Sequence, residues 1–327
     1  MTTPVLADSV RLTDDGVAIL DRRVFPEQRV WVHCGSVADV ATAIEDMVTQ
    51  SSGPYFAALW AMVLAAREAA GLGPEAARAH LDAAGERLVA TRRTNNHLRK
   101  AVAAALSEVD GQSGEELVAA VLAGARAGDE RYRSRSAALG RHTADLLPAG
   151  ATVLTHCWAD LYLVELVRAA ADKNISYICT ETRPYRQGAR LTAETLAEMG
   201  ADTTLITDGM GAAVLAGGTV DALVTAADRV TMDGHVINKI GTLGLAVAAS
   251  AFGVPFHAMV QAPDRLAPTA ADVPIEYRDG TEITDRPGIR GLYPAFDITP
   301  PRFVTTVVTD RGPFDPLRLA TYYEEVP

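Results

Sequence analysis

An α/β fold is what this 327-residue chain predicts: a largely parallel sheet with helices on both faces, preceded by a smaller, mainly helical segment. Two observations carry the prediction. From residue 152 onward, β-branched runs at 152–155, 175–180, 203–207, 220–225, 255–260 and 303–308 are separated by helix-length stretches, the alternation that builds βαβ units. Before residue 147, apolar residues recur instead at the three-and-four spacing of amphipathic helices.

The elements follow in order. A short strand is predicted at 29–33, and Ser36 with Asp39 three residues later makes a capping box for the helix that follows. Val37, Val40, Ala41, Ile44, Met47 and Val48 give that helix one apolar face, and Ser51-Ser52-Gly53-Pro54 breaks it. The apolar run 55–66 ends at Arg67-Glu68, well short of the roughly 20 residues that span a bilayer, and reads as a buried helix. Four or five helices reach about residue 147. The glycine-punctuated, charged stretch ending at Arg131 is taken as the boundary between a domain of residues 1–125 and one of residues 126–327, although a single helix could cross it.

Composition narrows the function. With 48% hydrophobic and 22% charged residues, the chain is that of a soluble globular protein. A net charge of −11 argues against a nucleic-acid surface, so any anionic ligand needs a local site. Three scattered cysteines, Cys34, Cys157 and Cys179, without CxxC spacing, argue against a disulfide framework or a metal site and fit a cytoplasmic setting. The N-terminus shows no basic segment leading into an apolar run, so no secretory signal is expected.

In parallel sheets ligands collect at the carboxyl ends of the strands. Those ends hold Thr155-His156-Cys157, Glu181-Thr182-Arg183, Asp208 and Asp228. Cys157, expected between a strand end and a helix N-terminus, would have a lowered thiol pKa and act as nucleophile or proton carrier; position alone also fits a small buried hydrophobe. Burial would raise the pKa of Asp228 toward a value useful in acid–base work, while a helix cap or an ion pair with Arg229 fits equally. Asn238-Lys239 is read as opening a helix whose amides and lysine charge suit a phosphate, or as a solvated surface. Three arginines within 183–190 suit an anion or an ion-pair network. The 207–211 segment, Thr-Asp-Gly-Met-Gly, lacks the third glycine of a dinucleotide loop and is read as a turn with Asp208 as helix cap. P-loop, GxSxG and HExxH motifs are missing.

Several motifs in order resemble one family. Leu-Thr-His-Cys (154–157), Glu-Thr-Arg-Pro-x-x-Gln-Gly-Ala-Arg-Leu-Thr (181–192), Ile-Thr-Asp (206–208), Ala-Asp-Arg-Val (227–230), Gly-x-Val-x-Asn-Lys-Ile-Gly-Thr (234–242), Asp-Val-Pro-Ile-Glu-x-Arg (272–278) and Pro-Ala-Phe-Asp-Ile-Thr-Pro (294–300) are similar to those of the methylthioribose-1-phosphate isomerases. Their relatives are the ribose-1,5-bisphosphate isomerases and the regulatory subunits of a eukaryotic initiation-factor exchange complex. Thr91-Arg92-x-Thr94-x-x-x-Leu98 extends the likeness more weakly into the first part. The resemblance implies a Rossmann-like C-terminal domain, a homodimer, no cofactor or metal, and a place in methionine salvage. It puts the catalytic pair on Cys157 and Asp228 and the phosphate contacts on Arg92, Gln187, Asn238 and Lys239. Two departures stand out. The family's Arg-Gly-Ala-Pro-Ala-Ile-Gly phosphate loop is replaced near 49–57, without its arginine, and Trp158-Ala159-Asp160 follows Cys157 in place of Asn-Ala-Gly. Trp158 and Tyr55 are the residues expected to reshape the pocket. A non-catalytic sugar-phosphate or nucleotide binder of the same fold is the alternative expectation.

Overall fold

A computed structural model describes residues 2–92 and 96–324, which leaves Thr94 of the first-part motif outside the described residues. The chain divides into two units, Val5–Ser134 and Arg135–Pro327 with Met1–Pro4.

In the first unit, β1 (Val10–Leu12), β2 (Val17–Leu20) and β3 (Trp31–Cys34) form an antiparallel sheet in that order. The strand expected at 29–33 is therefore present, shifted toward its C-terminal end. Helix α1 (Val37–Glu45) starts at the predicted capping box: Ser36 Oγ accepts the Asp39 amide at 3.2 Å, and Asp39 Oδ2 accepts the Ser36 amide at 3.0 Å. It ends before Val48, and Met47 takes a left-handed φ of +62°. Helix α2 (Gly53–Ala69) is the predicted buried helix; it is apolar on nearly every side because it packs against α1, α3 (Pro74–Ala90) and α4 (Asn96–Ala105). Tyr55 on α2 donates to the Gly128 carbonyl at 3.0 Å and stacks with Phe56 and Tyr132. The Arg92 guanidinium donates to the Ile44 carbonyl at 3.2 Å and touches the Met47 sulfur. One long helix, α5 (Gly114–Asp145), crosses the stretch ending at Arg131, and the division between units falls within it.

The second unit alternates strand and helix as predicted: β4 (Thr152–Thr155), α6 (Leu161–Ala169), β5 (Ser176–Thr180), α7 (Glu194–Glu198), β6 (Asp202–Ile206), α8 (Gly211–Ala216) and β7 (Ala222–Ala226). Then come β8 (Arg229–Val230), β9 (Val236–Lys239), α9 (Thr242–Ala251), β10 (Phe256–Met259), β11 (Tyr277–Arg278), β12 (Tyr293–Pro294), β13 (Phe296–Thr299), β14 (Thr306–Thr309) and β15 (Gly312–Phe314). Seven strands form one sheet in the order β15-β14-β10-β7-β4-β5-β6, parallel except where β15 runs against β14. With β15 set aside, this is the doubly wound Rossmann-like order, whose direction of growth reverses between β4 and β7. Leu154, Leu223, Phe256 and Val307 from the sheet pack with Leu245, Ala246 and Ala249 of α9, each large side chain contributing roughly 1.5–3 kcal/mol by leaving water. A small antiparallel sheet, β13-β9-β8, was not expected from the sequence; its β9–β13 register sets Asn238 opposite Asp297 and Lys239 opposite Phe296.

Candidate active site

Strands β4 and β7 are neighbours at the switch point, and they deliver Cys157 and Asp228 at their carboxyl ends. The two residues singled out from sequence as a catalytic pair therefore arise from adjacent strands. Ligands of such sheets settle in the crevice at this place.

Cys157 is held in the left-handed region at φ +64°, a conformation that costs a non-glycine residue roughly 1–3 kcal/mol unless its neighbours enforce it. They do so here. The Cys157 amide donates to Thr182 Oγ1 at 3.0 Å, and the Thr192 hydroxyl donates to the Cys157 carbonyl. Thr182, itself at φ +62°, donates its amide to Asp208 Oδ1 at 2.7 Å, and the Arg183 amide donates to Asp208 Oδ2 at 2.7 Å. Asp208 is thus a clamp on the 182–183 backbone and not the helix cap expected of it, because Thr207 fills the cap position of the short helical turn that follows.

Thr192 reaches Cys157 from a π-helical turn, Gly188–Ala193, a form that recurs at functional sites. The turn lies against the end of β5, and a Cβ at Gly188 would come within 1.8 Å of the Thr180 carbonyl oxygen. Gln187, just before the turn, is 6% exposed, and its Oε1 is buried without a hydrogen-bond partner. A buried acceptor left open suits a ligand hydroxyl. Arg183 and Arg186 are exposed and Arg190 stacks on Tyr185, so the three arginines are spread around the loop.

Two electrostatic expectations are corrected. The lowered thiol pKa expected for Cys157 needed a helix start beside it, but α6 begins at Leu161, four residues on. Burial instead pushes the thiol up, opposed by the positive charge of Lys239 and a bond from the Trp158 backbone amide, and reinforced by Asp208 and Asp228. The burial expected for Asp228 is also missing: the residue is exposed, its amide donating to the Ile237 carbonyl at 3.0 Å.

Asn238 and Lys239 end β9 and do not open a helix. Helix α9 begins three residues later, and its first amides are already used: Gly241 and Leu243 donate to Asp297 Oδ2 at 2.8 and 3.1 Å. The phosphate site expected of those amides is therefore occupied by the protein's own carboxylate. Lys239 Nζ lies 4.5 Å from the centre of the Phe296 ring, and Asn238 Nδ2 donates to Thr242 Oγ1 at 3.1 Å. Lys239 is the cation whose field reaches both Cys157 and His156.

Sequence reasoning gave no role to Thr182, Thr192, Tyr293 or Asp297, although three of them lie inside motifs it quoted. Tyr293 is buried; burial and Glu282 push its phenol up to about 12, and the nearby Cys157 adds to the rise. Trp158 is 5% exposed with its indole N–H unpartnered. Among the described residues no cluster of three or more His, Cys, Asp or Glu is placed to hold a metal, and no helix is long and apolar enough to cross a membrane.

A Rossmann-like α/β unit that pins a strained cysteine beside its switch point has the architecture of an enzyme whose ligand crevice lies at the carboxyl ends of β4 and β7. Residues 50–316 match the Initiation factor 2 subunit family. The methylthioribose-1-phosphate isomerase of Anaeromyxobacter sp. is 38% identical over 94% of this chain and 93% of its own, and that of Koribacter versatilis is 34% identical over 95% and 94%. Among solved structures, the 5-methylthioribose 1-phosphate isomerase of Pyrococcus horikoshii superposes with a TM-score of 0.86 at 28% identity, covering 97% of this chain and 96% of its own. The delta subunit of translation initiation factor eIF-2B from A. fulgidus gives 0.84 at 33% identity over 94% and 96%. The chain belongs to the Initiation factor 2 subunit family and is an enzyme of its isomerase branch, an aldose–ketose isomerase.

Proposed function

We propose that this protein converts an aldose 1-phosphate, methylthioribose 1-phosphate or a close analogue such as 5-deoxyribose 1-phosphate, to the ketose 1-phosphate. A sugar phosphorylated at its anomeric oxygen cannot open its ring as a free aldose does. The ring oxygen must be protonated, and hydrogen must move from C2 to C1. Asp228, exposed in this structure and able to hold a proton once the bound sugar covers it, donates that proton to the ring oxygen and later recovers one from the C2 hydroxyl, while the Cys157 thiolate takes the proton from C2 and returns it at C1 through an enediol. Electrons stay within the sugar, and both residues end as they began.

The observation that carries this reading is that one thiol lies in the fields of Lys239, Asp208 and Asp228 at once. Burial makes the thiolate, once formed, a strong base, and the Lys239 charge favours its formation against that burial. Lys239 and Asn238 hold the phosphate, and the open Oε1 of Gln187 accepts a sugar hydroxyl. Arg92 and a homodimeric state enter on the family pattern alone. Loss of the family's loop arginine weakens phosphate binding by about 1.5–3 kcal/mol, one to two decades, unless another group compensates.

Proton NMR on methylthioribose 1-phosphate, 5-deoxyribose 1-phosphate and ribose 1,5-bisphosphate tests this directly. Loss of the anomeric proton signal with growth of a ketose phosphate, abolished by Cys157→Ala, is the expected result. Turnover that survives Cys157→Ala and Asp228→Asn would overturn the assignment, and binding without turnover of any of the three would leave a sugar-phosphate binder.

A further inference from the structure

A hydrogen-bonded chain runs from Asp297 to Thr180 through groups that no step above uses. Asp297 Oδ2 accepts the Gly241 amide at 2.8 Å. That N–H and the Ile240 carbonyl belong to one peptide group, and the Ile240 oxygen lies 2.9 Å from His156 Nε2. On the other side of the ring, Nδ1 lies 2.6 Å from Thr180 Oγ1. A carbonyl only accepts, so Nε2 carries the proton. Burial keeps the ring neutral, so Nδ1 accepts the Thr180 hydroxyl. His156, 2% exposed, is therefore a single tautomer gripped at both nitrogens, and the next residue is Cys157.

The peptide is fitted to that ring. Gly241 takes φ +108°, and a Cβ there would stand 3.0 Å from two ring atoms of His156. The Ile240 amide is fixed in turn by the Ala295 carbonyl at 3.1 Å. Helix capping does not account for a carboxylate here. A neutral Asn or Ser would satisfy the same two amides, whereas Asp297 leaves Oδ1 buried without a partner, a costly arrangement. What a charge adds is polarisation: an anion at the Gly241 N–H makes the Ile240 oxygen a stronger acceptor for His156.

We infer that Asp297 is a positioning residue for Cys157, acting through the Ile240–Gly241 peptide and the His156 ring. By holding His156 from one side while Thr180 holds it from the other, it keeps Cys157 in its left-handed conformation with the residue only partly exposed. The inference deepens the reading of Cys157 as the proton carrier and rests on it.

The test is Asp297→Asn in the full chain, which keeps an oxygen for the two amides and removes the charge. Three readouts are taken: steady-state kinetics on the preferred sugar phosphate, nitrogen-15 NMR of the histidine rings, and alkylation of Cys157 by iodoacetamide at pH 8.5. Cys34 and Cys179 are buried whereas Cys157 is partly exposed, so early alkylation reports Cys157. The expected result is kcat lower by about tenfold or more with KM within about twofold. Alkylation becomes at least about threefold faster as the loosened thiol is hydrated, and the His156 ring signals move from those of a fixed Nε2–H tautomer. Unchanged alkylation and unchanged ring signals would make Asp297 a helix cap only and overturn the inference. Should the Asn variant not fold, Thr180→Val, which removes the opposite grip, must produce the same faster alkylation; if it does not, the inference falls. Alkylation and ring signals that respond in a protein with no isomerase activity would sink the functional reading while sustaining the coupling.

Discussion

The amide of Cys157 donates to the hydroxyl of Thr182 at 3.0 Å, and Asp208 holds the Thr182 amide at 2.7 Å, so the ends of β4, β5 and β6 are tied at one point. Thr182→Ala leaves the part-buried Cys157 N–H without its partner, at a cost of about 1–3 kcal/mol. Thr182→Ser keeps the oxygen. The expected outcome is a fall in kcat of about tenfold for the alanine variant and near-normal turnover for serine. Equal rates in both variants would show that the strained Cys157 backbone is held by other contacts.

Gly188→Ala tests the close approach of the π-helical turn to β5. The added carbon would stand 1.8 Å from a backbone oxygen and 2.8 Å from Thr182 Oγ1, and backbone yields less readily than a side-chain tip. Overpacking of this kind costs about 1–3 kcal/mol or more, which in a unit of this size lowers the melting midpoint by several degrees. Calorimetry of the variant is the measurement, and a midpoint within a degree of wild type would mean that the turn is free to move.

The charge of Lys239 favours the Cys157 thiolate while burial disfavours it. Burial lifts the thiol above its ordinary 9.0 and the lysine charge lowers it, so alkylation is slow at neutral pH and climbs in the alkaline range. Lys239→Met removes the lowering charge. At pH 8.5 its alkylation rate is expected to fall several-fold, and KM for the sugar phosphate to rise under the proposed role of Lys239 as phosphate contact. A KM that stays put while alkylation slows would confine Lys239 to tuning the thiol.

How much of this was legible in the sequence follows from what each signal encodes. The βαβ alternation places β4 to β7 and, with them, Cys157 and Asp228 at strand ends, because periodicity and strand polarity are local properties. The capping box at Ser36 was readable for the same reason. The state of the thiol was not: it depends on how far α6 begins beyond Cys157 and on what surrounds the sulfur, and both are tertiary facts. The same holds for α9. Its Lys-Ile-Gly-Thr start resembles an open anion site until the β9–β13 pairing, 56 residues apart in sequence at the Gly241–Asp297 bond, brings a carboxylate onto it. Asp208 was read as a cap for want of any local sign that residues 182 and 183 would turn their amides toward it.

The buried carboxylate of Asp297 makes a prediction about stability and pH. Burial pushes its pKa from 3.8 up to about 6 against the pull of the Gly241 and Leu243 amides. The unfolded chain loses this proton near 3.8 and the folded protein near 6. Between those values the folded state binds more protons, so this group's contribution to stability is greatest at acid pH and falls as pH rises through the window. At about 1.4 kcal/mol per unit, the loss is on the order of 2–3 kcal/mol by neutral pH. Asp297→Asn carries no such term. Melting midpoints of the two proteins followed from pH 4.5 to 7 should therefore diverge, the wild type losing ground to the variant as the pH rises, and parallel curves would refute the burial argument. If the variant is also the slower enzyme, the carboxylate is kept at neutral pH at the expense of stability, as expected of a charge that serves the cysteine and not the fold.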